Sequence, residues 1–318
     1  MPADRPIRIG ISSCLLGQKV RFDGGHKRDA FLVETFGAFV EWVPVCPEVE
    51  LGLGIPREAL RLARKEGEIR MVNTKSGRDI TAEMRQWSIE RVESLAGEDL
   101  AGYVLKKDSP SCGMERVKTY GGAGMAERTG RGLFAEALLA RFPRMPVEEE
   151  GRLSDPRLRE NFVERVFAWV RLRDVFAGRW TVGGLVRFHT AHKMALLAHS
   201  PEIYADLGRL VAGASSLDRA ALAAQYRDGF MDALAKLATT RKHTNVLLHM
   251  AGHFKTLLEA DEKQELLSSI EDYRLGLVPL VVPLTLVRHH VRRQRVEYLG
   301  GQVYLDPHPK ELMLRNHV

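Results

Sequence analysis

Short apolar runs that stop at turns, alternating with stretches of helical period, fill the first half of the chain. Arg8-Ile9-Gly10-Ile11-Ser12-Ser13 predicts a strand ending at Cys14, and residues 29–39 have the length and spacing of a helix. Val40-Glu41-Trp42-Val43-Pro44-Val45 predicts a second strand, which ends at Cys46. Residues 81–95 are amphipathic, with Thr81 as N-cap and Glu83 to Glu93 on the polar face. The strand Ala101-Gly102-Tyr103-Val104-Leu105 follows, and Cys112 comes soon after. This alternation predicts an α/β domain with an open, Rossmann-like parallel sheet, whose sites form in crevices beyond the carboxyl ends of strands. All three cysteines fall beyond such ends, so loops distant in sequence can converge.

From Ser154 the period changes. Ser154-Asp155-Pro156 reads as a helix start, with a capping hydroxyl and a proline in the first turn, and Phe162, Val166, Trp169 and Val170 then recur at three or four residues. Similar spacing marks residues 186–197, 222–237, 246–258 and 282–291. The second domain is expected to be mainly α-helical. Glu148-Glu149-Glu150-Gly151-Arg152 is apolar-poor and reads as the linker, which divides the chain into domains 1–150 and 151–318.

A chain of 318 residues with 45% hydrophobic content has material for two cores. It contains no unbroken apolar run of the roughly 20 residues a membrane span needs, and Met1-Pro2-Ala3-Asp4-Arg5 lacks the apolar core of a secretion signal, so the expected location is the cytoplasm, with no membrane partner. Charge sharpens the division. Residues 1–150 balance 23 Lys and Arg against 23 Asp and Glu, whereas residues 151–318 carry 24 against 18, together with ten of the eleven histidines. Every cysteine lies in the first half. That segregation suggests chemistry in one domain and attraction of a polyanion by the other.

Three cysteines are too few, and odd in number, for a disulfide framework. Their spacing matches neither a zinc ribbon nor a ferredoxin, and any one of them alone reads as a buried structural residue. Their settings say more. Cys14 lies in Ser12-Ser13-Cys14-Leu15-Leu16-Gly17 ahead of Arg21-Phe22-Asp23-Gly24, Cys46 in Val45-Cys46-Pro47-Glu48, and Cys112 in Lys106-Lys107-Asp108-Ser109-Pro110-Ser111-Cys112-Gly113. These segments closely resemble the thiouracil desulfidase family, over roughly the first 145 residues. The resemblance implies a [4Fe-4S] cluster on Cys14, Cys46 and Cys112 with one iron left open, and catalytic roles for Glu48 and Ser109. An open iron in a sulfide environment is a soft Lewis acid suited to a thiocarbonyl sulfur. Glu48 would protonate the ring nitrogen or activate water, and Ser109 would orient that water or attack the ring carbon. The plainer alternatives are a helix-start acid for Glu48 and a turn residue before proline for Ser109.

The second half, from about Arg171 to Tyr298, resembles the helical domain fused to such desulfidases, carried by Arg187-Phe188-His189-Thr190-Ala191-His192-Lys193, Leu197-Ala198-His199-Ser200-Pro201 and Arg241-Lys242-His243-Thr244-Asn245-Val246-Leu247-Leu248-His249 through Gly252-His253-Phe254-Lys255. The fused proteins are similar to tRNA 4-thiouridine desulfidases, which makes tRNA the expected partner and small thiopyrimidines further substrates. Residues expected to face RNA are His189, His192, Lys193, Arg241, Lys242, His249, Arg288, Arg292, Arg293 and Arg295; the alternative for the Arg288 to Arg295 run is an ordinary solvated helix face. His249 and His253 stand at zinc-like spacing, but no acidic residue nearby completes a recognisable set. Two rival functions remain: a non-catalytic RNA-binding iron–sulfur protein, and a desulfidase of free thiouracil.

Overall fold

The computed structural model describes residues 6–121 and 126–318. The chain divides into two compact units, Met1–Ser154 and Asp155–Val318. Met1 to Arg5, read above for the absence of a secretion signal, lie outside the described residues.

The first unit runs β1 (Arg8–Ser12), β2 (Glu41–Val45), α1 (Pro47–Glu50), β3 (Leu60–Lys65), β4 (Glu68–Asn73), α2 (Thr81–Ala96), β5 (Gly102–Leu105), β6 (Val117–Tyr120), β7 (Ala126–Gly130), α3 (Leu133–Arg141) and β8 (Val147–Glu149). Apolar strands β1, β2 and β5 pair in parallel with β8 in the order β2-β1-β5-β8, the expected open parallel sheet. The chain leaves β1 for β2 on one side and returns to β5 on the other, so the strand order switches between β1 and β5. Ligands bind at such a switch point in open α/β sheets. The register sets Ser12 opposite Val45 and Ile11 opposite Val104, which brings the loops after three strands to one edge.

Four local readings change. Residues 29–39 form a π-helical turn, Phe31–Thr35, running into a 3-10 turn, Phe36–Ala38, instead of a regular helix. A Cβ on Gly37 would stand 2.9 Å from the Leu32 carbonyl oxygen and 3.1 Å from Trp42 Nε1, so the tightened backbone there depends on glycine. Thr81 is the first helical residue of α2 and not its cap: its Oγ1 accepts from Met71 N at 2.8 Å, while Asp79 accepts from Thr81 N at 2.9 Å. At the start of the second unit, Asp155 does the capping assigned to Ser154, accepting from Arg157 N and Leu158 N. The acidic linker is the edge strand β8. Glu148 and Glu149 are buried there because each carboxylate has a partner: Arg152 Nε donates to Glu148 at 2.6 Å and Met114 N to Glu149 at 2.7 Å.

A second, mixed sheet, β4-β3-β6-β7, has no counterpart in the sequence reading. Its β3–β4 hairpin turns on Glu66 and Gly67, both at positive φ, the geometry a two-residue turn requires. Its inner face, with Leu62, Met71 and Val117, packs on Ile80, Met84 and Leu133.

The second unit is helical as expected: α4 (Pro156–Val175), α5 (Val182–Ala191), α6 (Lys193–His199), α7 (Pro201–Ala212), α8 (Arg219–Ala235), α9 (Thr240–Gly252), α10 (Ala260–Arg274), α11 (Val281–Gln294) and α12 (Glu297–Gly300). One core gathers Leu172, Leu185, Leu207, Tyr226 and Phe230, and another gathers Met194, Leu247, Ile270, Leu284 and Tyr304. Among the described residues no helix is long and apolar enough to cross a membrane.

Buried histidines in this unit tie its stability to pH. Burial, with the Arg171 guanidinium beside it, pushes His192 down to about 3, and burial pushes His243 down to about 4. Both are neutral when folded and gain a proton only on unfolding, so the stability they contribute above pH 6.5 is lost as pH falls below it. His199 behaves in the opposite sense: burial lowers its pKa, but the Glu164 carboxylate at 3.3 Å outweighs burial and raises it. Its contribution is complete below pH 6.5 and is lost at higher pH. Stability of the helical unit should therefore peak near pH 6.5 and fall by about 2 kcal/mol for each of His192 and His243 on going to pH 5. Urea unfolding followed by helical circular dichroism at pH 6.5 and pH 5 measures this, and equal midpoints would show that these imidazoles are not held neutral.

Candidate active site

Loops from the carboxyl edge of the parallel sheet enclose a cavity of about 360 Å³, lined by Cys14, Cys46, Cys112, Glu48 and Ser109 among others. Cys14 lies in a 3-10 turn, Ser13–Leu16, directly after β1; Gly17, at φ 91, closes that turn, and the Cys14 carbonyl accepts the amide of Lys27 at 2.9 Å. Cys46 follows β2 and precedes the first residue of α1, and its thiol donates to the Val20 carbonyl at 3.8 Å. Cys112 ends the turn after β5. A Cβ on the next residue, Gly113, would fall 2.8 Å from the Ser109 carbonyl oxygen, so this turn closes only over glycine.

All three cysteines are free thiols, Cys14 and Cys112 buried and Cys46 half-buried. Burial raises each pKa: Cys14 to about 11, against the opposing pull of Lys106, Cys46 in the same direction, and Cys112 well above the ordinary thiol range. Three thiols lining one cavity are a soft donor set, and any metal group must displace their protons on binding. Among the described residues no three His, Cys, Asp or Glu are gathered to hold a metal ion.

Glu48 and Glu50 divide the work at the start of α1. Glu50 turns back to accept the Cys46 amide at 3.0 Å, the helix-start role considered for Glu48. Glu48 instead turns into the cavity wall, where Arg57 Nε donates to Oε2 at 3.0 Å, a terminal Arg57 nitrogen donates to the same oxygen, and Ser111 Oγ donates to Oε1 at 2.9 Å. Ser109 Oγ accepts from the amides of Ser111 at 3.2 Å and Cys112 at 3.1 Å. The turn role and a place on the cavity therefore coincide in one hydroxyl, and the two N–H donors stabilise negative charge on that oxygen.

Arg57 and Ser111 are missing from the sequence reading. Ser111 lies inside the quoted motif, two residues from Ser109, whereas Arg57 follows Ile55-Pro56 in a stretch with no periodic signal. Lys106 also lines the cavity, held by Glu150, whose other oxygen accepts the Lys107 amide at 2.7 Å. Arg21, Lys27 and Lys107 add further positive charge to the lining, and of its two carboxylates Glu48 is paired with Arg57 and Asp108 with Arg128.

The residues expected to face RNA are scattered over the helical unit. His192 is buried, with Nδ1 on the Phe188 carbonyl at 2.8 Å and Arg171 at its other nitrogen, which removes it from any RNA-facing surface. His189 is half-buried, bonded to Tyr226 Oη at 3.1 Å and stacked on Tyr204. Lys242 Nζ donates to the His199 carbonyl at 2.6 Å, Arg288 is tied to the Leu305 carbonyl and to Asp306 at 3.2 Å, and Arg293 pairs with Glu262. Arg241, His249, Arg292 and Arg295 are exposed. Lys193 and His249 come together with His253 and Tyr298: the His249 and His253 rings are 5.6 Å apart, His253 and Tyr298 5.2 Å, and Lys193 Nζ stands 6.0 Å from the Tyr298 ring.

Known proteins match both units. Residues 9–150 match the family model for 2-thiouracil desulfurase, and residues 193–309 match a family described as a protein of unknown function, DUF1722. The uncharacterized protein YbgA of Escherichia coli K12 is 33% identical over 163 residues, 50% of this chain and 95% of its own length. The uncharacterized protein YbbK of Bacillus subtilis 168 is 30% identical over 139 residues, 41% of this chain and 88% of its own. Among solved structures, a [4Fe-4S]-dependent thiouracil desulfidase, TudS, is 31% identical, with 46% of this chain and 93% of that one covered at a TM-score of 0.37. The chain belongs to the 2-thiouracil desulfurase family, with that domain at residues 9–150 and the DUF1722 domain at residues 193–309.

Proposed function

We propose that this chain hydrolyses the carbon–sulfur bond of a thiolated pyrimidine, and that its substrate is 4-thiouridine in tRNA. The observation that carries the reading is the meeting of Cys14, Cys46 and Cys112 with Glu48 and Ser109 on one cavity at the switch point of the sheet. A [4Fe-4S] group on the three cysteines would supply a soft Lewis acid for the thiocarbonyl sulfur. Water and the thiocarbonyl are consumed, a carbonyl and hydrogen sulfide are formed, and no electrons are gained or lost. Glu48, fixed by Arg57 and Ser111, takes the proton of the attacking water and returns it at the ring nitrogen or the departing sulfur. Ser109, its oxygen held by two amides, orients the water. The surplus of cations lining the cavity suits a pyrimidine that arrives with phosphates attached, which favours a nucleotide within RNA over free thiouracil.

Anaerobically reconstituted protein incubated with bulk bacterial tRNA, followed by nucleoside analysis, tests this directly. The expected result is loss of 4-thiouridine matched by uridine and sulfide. Turnover of free 2-thiouracil with untouched tRNA would confine the activity to the free base. Full iron content with neither substrate converted would sink the enzymatic reading and favour an RNA-binding iron–sulfur protein without catalysis.

A further inference from the structure

The formal charge of the first half is zero, yet its second sheet sorts that charge by face. Residues directly opposite one another in a ladder share a face, and alternate residues along a strand change face. In β3–β4, Ala63 pairs with Arg70 and Lys65 with Glu68; Ala63 also pairs with Tyr120 of β6, and in β6–β7 Lys118 pairs with Arg128. Alternation puts Arg61 with Ala63 and Lys65, and Lys118 with Tyr120. The same face therefore carries Arg61, Lys65, Arg70, Lys118 and Arg128, with Glu68 as the carboxylate within these strands and Asp79 added by its bridge to Val72, the partner of Arg61.

Glu68 is taken by Arg70 at 2.6 Å and Arg128 reaches Asp108 at 3.0 Å. Arg61, Lys65 and Lys118 are exposed. The Arg61 guanidinium stands over the half-buried Tyr120 ring at 5.3 Å, an aromatic set among cations. A solvated sheet face that merely resists edge pairing mixes charges of both signs in balance, whereas here five cations stand against two carboxylates, Glu68 and Asp79. It is also continuous with the candidate active site. Asp108, the partner of Arg128 on this face, lines the cavity.

We propose that this face of the desulfurase domain binds the phosphate backbone of the RNA whose thiolated base enters the cavity, an inference that rests on reading the substrate as RNA. Cations spread over a twisted sheet contact several phosphates at once, and Tyr120 gives an unpaired base a ring to stack on.

The test is equilibrium binding of an unmodified tRNA transcript to the full-length, cluster-loaded chain across a salt series. The triple variant Arg61→Gln, Lys65→Gln, Lys118→Gln should weaken binding at least tenfold at moderate salt and reduce the slope of log affinity against log salt by about two, since each lost phosphate contact contributes roughly 0.7 to 0.9. Its turnover of free 4-thiouridine should be unchanged. The charge-keeping variant Arg61→Lys, Lys65→Arg, Lys118→Arg should restore both affinity and slope, which a folding defect would not. Equal affinity and slope in the parent and the Gln variant overturns the proposal. So does loss of binding to phosphatidylserine vesicles with tRNA binding intact, which would give the face to a lipid surface. Because the transcript carries no thiolated base, a flattened slope in a chain unable to desulfurate tRNA would leave this surface standing and remove only the substrate reading.

Discussion

Replacing any one of Cys14, Cys46 or Cys112 by Ala should abolish the iron-dependent visible absorbance and desulfuration together. Removing a residue that merely orients a metal ligand costs about 10- to 100-fold in affinity or activity. Removing a ligand should exceed that, so turnover is expected to fall by more than about a hundredfold. The competing account, three cysteines used as small apolar residues, makes a different forecast. Cys14 and Cys112 are buried, and trimming a thiol to a methyl there would lower stability slightly and leave bound iron unchanged. Cys46 separates the accounts best. It is half-buried at the cavity wall, so its substitution disturbs little packing. Iron and acid-labile sulfide per chain, measured with the melting temperature, decide between them: a Cys46→Ala protein with full iron would show that Cys46 is no ligand.

How far such a site could be read from the sequence depended on whether the relevant signal was local. Apolar runs ending at Cys14, Cys46 and near Cys112 are local, and the parallel sheet places all three loops at one edge, as the runs imply. The partners of the Glu48 carboxylate are not local. Arg57 meets Glu48 through the fold of the loop between α1 and β3, and no periodicity marks that loop. The acidic triplet 148–150 misleads for a related reason. Three adjacent carboxylates look solvated until Arg152, Met114 N, Lys106 and Lys107 N, most of them remote in sequence, each supply a partner. Charge counted by halves hides arrangement as well: a balanced sum in residues 1–150 conceals a sheet face with five cations. In the helical unit, His189, His192 and Lys193 are all expected to face RNA, but α5 ends at Ala191, and His192 turns inward where the chain passes into α6.

Glu48→Gln should keep the iron and lose at least about a hundredfold in turnover, within the usual contribution of a positioned acid–base group. The amide preserves shape and can still accept from Ser111, so binding of the thiopyrimidine should change little and the loss should fall on kcat. The substitution has a second effect that must be separated from the first. The Arg57 side chain is only 4% exposed and has Glu48 as its carboxylate partner, so Gln leaves a buried guanidinium that keeps its bond to the Gly54 carbonyl at 3.1 Å. Stranding one member of a buried pair costs about 3 kcal/mol, whereas replacing both members by uncharged groups of similar size is nearly neutral. The double variant Glu48→Gln with Arg57→Met should therefore recover most of the lost melting temperature while turnover stays low. If the double variant regained activity along with stability, Glu48 would be a structural partner of Arg57 and the proton transfer would have to be assigned elsewhere on the cavity wall.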